Sequence, residues 1–334
     1  MIMPRTQAAS PPLRSAFDLV EGFYLAHALT ALEQAGILKS LEQPITLGKL
    51  ATRHHVDTTV LEAALHMLRS RTNLIAYRAQ QYYLTRRYDA GVRFMLLQYL
   101  GAYRRNGVEF GRILHHPSAA KKLVDRAQHA KAFEQIDVAS ANILGDLLLQ
   151  LDLNHVLDIG CGTGTLLLNL AIRRRDFVGW GLDVNPWMCA VARERIACKR
   201  ATSRIAIFRG DCHRLKYSLP RSVIAKVSTI TAANLVNEFF SRGPDQAVAW
   251  LEDVKAAFPG RTMLIADYCG ELGNRSKRRS PEVALHDFIQ VVSGQGVPPG
   301  NRTGWQNIYN RAHCNLVHSI ELRDSSFFIH ILRL

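Results

Sequence analysis

Apolar residues recur at helical spacing through residues 15–36, SAFDLVEGFYLAHALTALEQAG, and the run stops at Gly36, the pattern of a helix ended by glycine. The following stretch, ITLGKLATRHHVDTTVLEAALHMLRSRTNLI, predicts two short helices, with Asp57 or Thr58 capping the second. IAYRAQQYYLT then predicts a hairpin, and helix, turn, helix and hairpin together make a winged-helix unit. Residues 90–150 predict mainly helix, closing on ANILGDLLLQLDL. From residue 154 the texture changes to short β-rich runs alternating with helical segments: HVLDIG, FVGWGLDV, RIAIFRGD, KVSTITAANLV and RTMLIADY. That alternation predicts an α/β unit with a parallel sheet flanked by helices. The last residues, LVHSIELRDSSFFIHILRL, predict two strands joined around Arg323-Asp324-Ser325 that supply an antiparallel edge. The chain divides into a helical, winged-helix unit (1–95), connecting helices (96–150) and the α/β unit (151–334).

Composition narrows the class. The chain has 334 residues, long enough for two cores, and 48% of them are hydrophobic against 21% charged, the balance of a globular protein. No apolar run approaches the roughly 18 residues of a membrane span, and the opening MIMPRTQAASPPLRS lacks the apolar stretch of a signal peptide, so a cytoplasmic location is expected. The six cysteines never form a CxxC pair, which argues for reduced thiols and against a structural metal. The net charge of +14 raises nucleic acid as a partner, but the basic residues are spread over both halves. Short clusters at Arg173-Arg174-Arg175 and Lys277-Arg278-Arg279 read as solvated ends or loops. A DNA-reading helix presents polar and basic side chains from its first turns. The second helix of the winged unit instead carries Glu62 near its start and Arg69 and Arg71 only at its end, so this unit reads as a dimerisation module and the protein as a homodimer.

The chemistry concentrates in Val156-Leu157-Asp158-Ile159-Gly160-Cys161-Gly162-Thr163-Gly164, a buried strand running into a glycine-rich turn before a helix. Glycines let the backbone turn tightly and let a ligand approach without a Cβ in the way. Their spacing is GxGxG; the dinucleotide pattern GxGxxG would need glycine at 165, which is threonine. Asp158 would also repel a pyrophosphate, yet it suits the cationic methionyl end of S-adenosylmethionine (SAM). Asp183 ends FVGWGLDV, 19 positions after Gly164, where a carboxylate can accept hydrogen bonds from ribose hydroxyls. Gly210-Asp211 follows RIAIFR, where an acceptor can reach an adenine amino group.

On these motifs residues 154–270 resemble the class I SAM-dependent methyltransferases. The whole layout resembles the small-molecule O-methyltransferases that carry an N-terminal winged-helix dimerisation domain. The resemblance implies a Rossmann-like fold, SAM as cofactor and no metal. Asp158, Gly160, Gly162 and Gly164 would line its methionine end, Asp183 would hold the ribose, Asp211 the adenine, and Asn234 would join the cofactor contacts.

One departure bears on mechanism. Many members place a His-Asp pair after the fourth strand, the His deprotonating the acceptor hydroxyl; here the stretch reads Leu235-Val236-Asn237-Glu238-Phe239, with Asn237 where that His would stand. Glu238 is left as a substitute base, a substrate contact or a helix-start residue. His286, in SPEVALHDFIQVVSGQGVPP, is a second candidate, on a helix leading into a loop, Ser293–Gly304, that could close over substrate. Tyr268 and Trp305 are candidate pocket walls. The expected reaction is methyl transfer to a hydroxyl or carboxylate of a small, preferably acidic, molecule in specialised metabolism. C-methylation of an activated carbon, RNA or protein methylation, and a DNA-binding regulator that retains a SAM fold stand as alternatives.

Overall fold

A computed structural model describes residues 15–136, 138–272, 281–321 and 326–334. The Lys277-Arg278-Arg279 cluster and the Arg323-Asp324-Ser325 connection lie outside the described residues. The helix Ala16–Gln34 opens with a reciprocal cap: the Asp18 amide donates to Ser15 Oγ, and the Ser15 amide donates to Asp18 Oδ2 at 2.9 Å. Helix Thr58–Arg71 is capped as its sequence predicts, the Val60 amide donating to Asp57 Oδ1 at 2.9 Å. Strands β1 (Ile75–Arg78) and β2 (Gln81–Leu84) pair antiparallel through a two-residue turn in which Ala79 and Gln80 both have positive φ. Such a turn follows the twist of the strands it joins. Tyr82 of β2 also exchanges both backbone hydrogen bonds with Ile45, widening the hairpin. Leu38, Leu50, Leu61, Leu65 and Leu68 bury their side chains together beneath this unit.

Between this unit and the main sheet the chain runs through short helices. A seven-residue π-helical stretch, Leu96–Ala102, leads by way of Arg104–Val108 and Phe110–His115 to Arg126–Ile136 and Val138–Gln150. No described helix is long and apolar enough to cross a membrane.

The main sheet has seven strands: β3 (His155–Ile159), β4 (Val178–Asp183), β5 (Ile205–Arg209), β6 (Thr229–Ala233), β7 (Thr262–Tyr268), β8 (Asn315–Glu321) and β9 (Phe327–Arg333). Their order is β5-β4-β3-β6-β7-β9-β8, the first five parallel and β9 antiparallel to both neighbours. β3 and β6 are buried nearly throughout, as central parallel strands covered on both faces must be. The terminal strands add an antiparallel flank, as expected, but not in chain order: β9, with five consecutive buried residues, inserts beside β7, and the mostly exposed β8 takes the edge. A register shift between Leu316 and His318 disrupts that edge, one of the ways open strands avoid further pairing.

The chain winds from β3 outward to β5, then returns to β6 on the other side of β3. At such a reversal the loops leaving the carboxyl ends of neighbouring strands diverge and open a crevice. Large buried side chains, Trp250, Phe258, Trp305 and Phe328, pack one face of the sheet, and the leucines of helix Thr165–Arg173 pack the other.

Candidate active site

The crevice holds a cavity of about 190 Å³, bounded by the ends of β3, β4 and β6 below and by helices Arg126–Ile136 and Val138–Gln150 above. Asp158, Gly160, Gly162, Asp183, Asn234 and Glu238 line it, so the structure brings together most of the residues singled out in the sequence. Gly160 and Gly162 have φ of 73° and 52°, a left-handed region that glycine adopts without cost. A Cβ on Gly162 would meet only Met188 Sδ, at 3.9 Å, so its backbone faces space that a ligand can enter. Gly164 is also left-handed but does not line the cavity; a Cβ there would press on Ala192 at 3.2 Å, so this glycine lets two helices approach.

Asp183 has a double task. Its Oδ2 accepts from the Gly162 amide at 2.9 Å and its Oδ1 from the Asn185 amide at 2.7 Å, which ties the tip of β4 to the glycine turn. Burial pushes its carboxyl upward from the ordinary range, while these hydrogen bonds and Arg126 oppose the rise. Asp158, only 4% exposed, accepts from the Thr231 hydroxyl at 2.7 Å across β3 and β6. Asn234 closes β6 with φ of 52°, a conformation Asn tolerates better than most residues, and its amide donates to Ala266 O.

The structure places other candidates away from the cavity. Asp211 is exposed, with its carboxylate accepting from the His213 amide at 2.9 Å; its neighbours Gly210 and Cys212 line the wall instead. Asn237 is buried outside the lining, its amide donating to Asp267 Oδ2 at 3.0 Å while its own Oδ1 has no partner among the described residues. His286 also lies outside it: its Nδ1 is 3.4 Å from the Tyr99 hydroxyl, its Nε2 3.1 Å from Gln290 Nε2, and its ring meets Tyr268 edge-on. Burial lowers the His286 imidazole to about 4. Tyr268 donates to Asp287 at 3.0 Å and Trp305 is wholly buried in the core, so neither is a cavity wall. The Ser293–Gly304 segment is packed at its start, with Ser293 and Gln295 buried and Gly296 against the Phe240 backbone.

Of the two base candidates read from the sequence, Glu238 and His286, Glu238 is the one that lines the cavity. It is half-buried; burial raises its carboxyl, and Arg126 and then Lys121 pull it back. The upper wall holds residues that sequence reasoning missed: Arg126, His129 and Phe133, with Ile143 and Leu144. The signal was present as helical spacing, since positions 126, 129 and 133 fall on one face, but nothing in the sequence says that this face looks onto the glycine turn.

Comparison with known proteins agrees with this geometry. Residues 156–252 match a family described as a methyltransferase domain. The methyltransferase ungE' of Aspergillus campestris is 27% identical over 121 residues, covering 36% of this chain and about a third of that relative's length, 34%. Among solved structures, human N-acetylserotonin methyltransferase in complex with SAM superposes with a TM-score of 0.71 at 14% identity, covering 97% of this chain and 99% of that one. The mitomycin 7-O-methyltransferase MmcR superposes with a TM-score of 0.67 at 16% identity, covering 95% and 96%. A calicheamicin-biosynthesis methyltransferase, CalO1, solved with S-adenosylhomocysteine (SAH), gives 0.65 at 18% identity, covering 97% and 99%. Residues 156–252 thus match a methyltransferase domain, and the whole chain has the fold of these solved methyltransferases.

Proposed function

We propose that this protein transfers the methyl group of SAM to an oxygen of a small-molecule acceptor. The observation that carries the reading is the cavity at the β3, β4 and β6 ends, where an open glycine turn, Asp158 and Asp183 converge. These residues fit the cofactor: Gly162 leaves room for its approach, Asp183 retains acceptor capacity beyond its two amide bonds for the ribose hydroxyls, and Asp158 complements the ammonium of its methionine end. When bound, SAM supplies an electrophilic methyl on a sulfonium.

The chain's own contribution is positioning, exclusion of water and removal of one proton. Holding the acceptor oxygen in line with the methyl can offset roughly 7–11 kcal/mol of barrier. The mostly apolar upper wall of Phe133, Ile143 and Leu144 keeps the site dry. Glu238 Oε would take the proton that the acceptor hydroxyl gives up when its oxygen is methylated, the cofactor being left as a neutral thioether. An acceptor that enters as a carboxylate gives up no proton and needs Glu238 only for orientation. Asn237 and His286 lie outside the lining, and Gly210 and Cys212, rather than the Asp211 carboxylate, would hold the adenine.

We assign the protein to specialised metabolism and to a homodimer built on residues 15–100. Phe17, Leu19, Val20, Phe23 and Tyr24 on helix Ala16–Gln34 are all more than half exposed, a large apolar surface for one helix to leave in water. The reaction is tested by incubating the protein with methyl-labelled SAM and a panel of small phenols, carboxylic acids and activated carbon acids. Label on oxygen is the expected result. Label confined to carbon would make the protein a C-methyltransferase, and salt-dependent DNA binding without transfer would make it a regulator.

A further inference from the structure

Just beyond the end of β5, three consecutive residues carry three different metal-ligating groups: the carboxylate of Asp211, the thiol of Cys212 and the imidazole of His213. Their ligand atoms all lie within 4.8 Å of one another. Consecutive side chains seldom converge, because a strand sends them to opposite faces and a helix turns each by about 100° from the last. Here the backbone changes within the motif. Asp211 is extended and Cys212–Arg214 is a single 3-10 turn, so the three side chains gather together.

The turn is held from outside the motif. Asp211 O accepts from the Arg214 amide at 3.0 Å and from Ser218 Oγ at 2.9 Å, and Cys212 O accepts from Trp250 Nε1 at 3.1 Å. Asp211 Oδ1 accepts from the His213 amide at 2.9 Å, which orients the carboxylate and leaves Oδ2 without a partner among the described residues. The His213 ring rests against Phe239, 4.8 Å between centroids, and neither of its nitrogens makes a hydrogen bond among the described residues.

A tetrahedral zinc ion, bonded to sulfur at about 2.3 Å and to nitrogen and oxygen at about 2.0–2.1 Å, separates those atoms by roughly 3.3–3.6 Å. The exposed Asp211 and His213 side chains can close the remaining gap by small rotations. Thiolate and imidazole suit zinc, whereas magnesium and calcium take oxygen ligands. Arg209 and Arg214 flank the motif, but both are exposed and screened by water, while the three ligands act at bonding distance. Three protein ligands leave a fourth position to water, unlike the closed structural sites that the cysteine spacing argues against.

We propose that Asp211, Cys212 and His213 form an inhibitory site for a thiophilic divalent cation, zinc foremost. Inhibition follows from the position of Cys212, which lines the cavity beside Gly210, on the wall assigned above to the adenine. Asp211 and His213 lie outside that lining, so an ion shared with them draws the Cys212 thiol outward and reshapes the wall. Zinc and cofactor then weaken each other by the same factor, as linked ligands must. The inhibition rests on the reading of this cavity as the SAM site; the metal site does not.

The test takes the full chain, with Co²⁺ as a spectroscopic stand-in for Zn²⁺ and with Zn²⁺ alone and SAH measured by calorimetry. Cobalt should give a thiolate-to-metal charge-transfer band that zinc displaces. Cys212→Ser should abolish that band, and Cys198→Ser, which removes an exposed thiol elsewhere, should keep it. His213→Ala should weaken zinc binding at least about tenfold and leave SAH binding without zinc within about twofold of wild type, which also shows that the variant folds. Saturating zinc should weaken SAH binding to wild type at least about fivefold, and the same zinc concentration should leave His213→Ala within about twofold. A band that survives Cys212→Ser, or a zinc affinity unmoved by His213→Ala, would overturn the metal site. Zinc bound at these residues with SAH affinity unchanged would overturn the inhibition and leave the cofactor reading standing. Zinc binding by a wild type that takes no SAH at all would uphold the metal site and overturn the cofactor reading instead.

Discussion

The Asp183 carboxylate accepts a hydrogen bond from the Gly162 amide at 2.9 Å, so the residue placed to hold the ribose also sets the shape of the glycine turn. Its other oxygen accepts from the Asn185 amide at 2.7 Å, fixing the start of the next helix as well. Asp183→Ala should therefore do two things at once. It should weaken SAH binding by about 1.5–3 kcal/mol, and it should lower stability by on the order of 1–3 kcal/mol, because two amides lose a charged acceptor. Asp183→Asn, which keeps one acceptor oxygen, should fall between wild type and Ala in both. Calorimetry and urea unfolding on the three proteins check this, and an Ala variant of native stability would remove the turn-shaping role.

Glu238 and His286, both candidates from sequence, now diverge. Glu238 lines the cavity, whereas His286 packs against Tyr99 and Tyr268 outside it. With a hydroxyl acceptor, Glu238→Gln should lower kcat by roughly 10²–10⁴ and leave SAM affinity nearly intact. His286→Ala should keep kcat within about tenfold and show its effect in thermal stability. If the acceptor is a carboxylate, Glu238→Gln should instead raise KM with kcat little changed. A large loss of kcat in His286→Ala alone would reverse the assignment.

The buried Asp267 makes a pH prediction. Burial pushes its carboxyl up to about 7, although it accepts from the amides of Tyr268 and Asn237. A carboxyl raised in the folded state binds its proton more tightly there than in the unfolded chain, so its contribution to stability is present below the ordinary carboxylate range and is lost as pH rises towards 7. His129, His286 and His330, which burial lowers to between about 3 and 4, act in the opposite sense, losing stability as pH falls below about 6.5. The wild-type curve mixes these effects, so the useful quantity is the difference between wild type and Asp267→Asn. Relative to the variant, wild type should lose up to a few kcal/mol of stability between pH 4 and 8. Urea unfolding at several pH values that gave parallel curves would contradict the assignment.

The exposed apolar face of helix Ala16–Gln34 makes an oligomer prediction. Phe23 and Tyr24, 56% and 59% exposed in the single chain, sit at its middle. Wild-type protein should scatter light as a dimer at micromolar concentration, with an interface on the order of 2,000 Å². Phe23→Glu should shift it to monomer by placing a charge where both copies bury carbon. A monomeric wild type at that concentration would leave the helix face without its partner.

Much of this was legible in the sequence because it is local. The glycine turn, Asp183 at a strand end and Asp57 as a cap follow from short-range backbone rules, and the structure places all three where those rules put them. What was not legible depends on long-range packing. The insertion of β9 between β7 and β8 reverses the order in which the strands are written, and only the continuous burial of Phe328–Leu332 hints at it. The Arg126–His129 face reads as one helix face among many until the fold sets it opposite β3 and β4. Asp211 shows why local rules leave choices open: an Asp at a strand end can be a ligand contact or a cap, and here its side chain caps while its neighbours line the cavity.

The central claim is that the cavity above β3, β4 and β6 takes SAM. A crystal structure of the protein grown with saturating SAH tests it most directly. The account predicts the ribose hydroxyls against Asp183, the ammonium towards Asp158, and the sulfur facing Glu238. A cavity that stays free of ligand under those conditions, or SAH bound elsewhere on the chain, would contradict it.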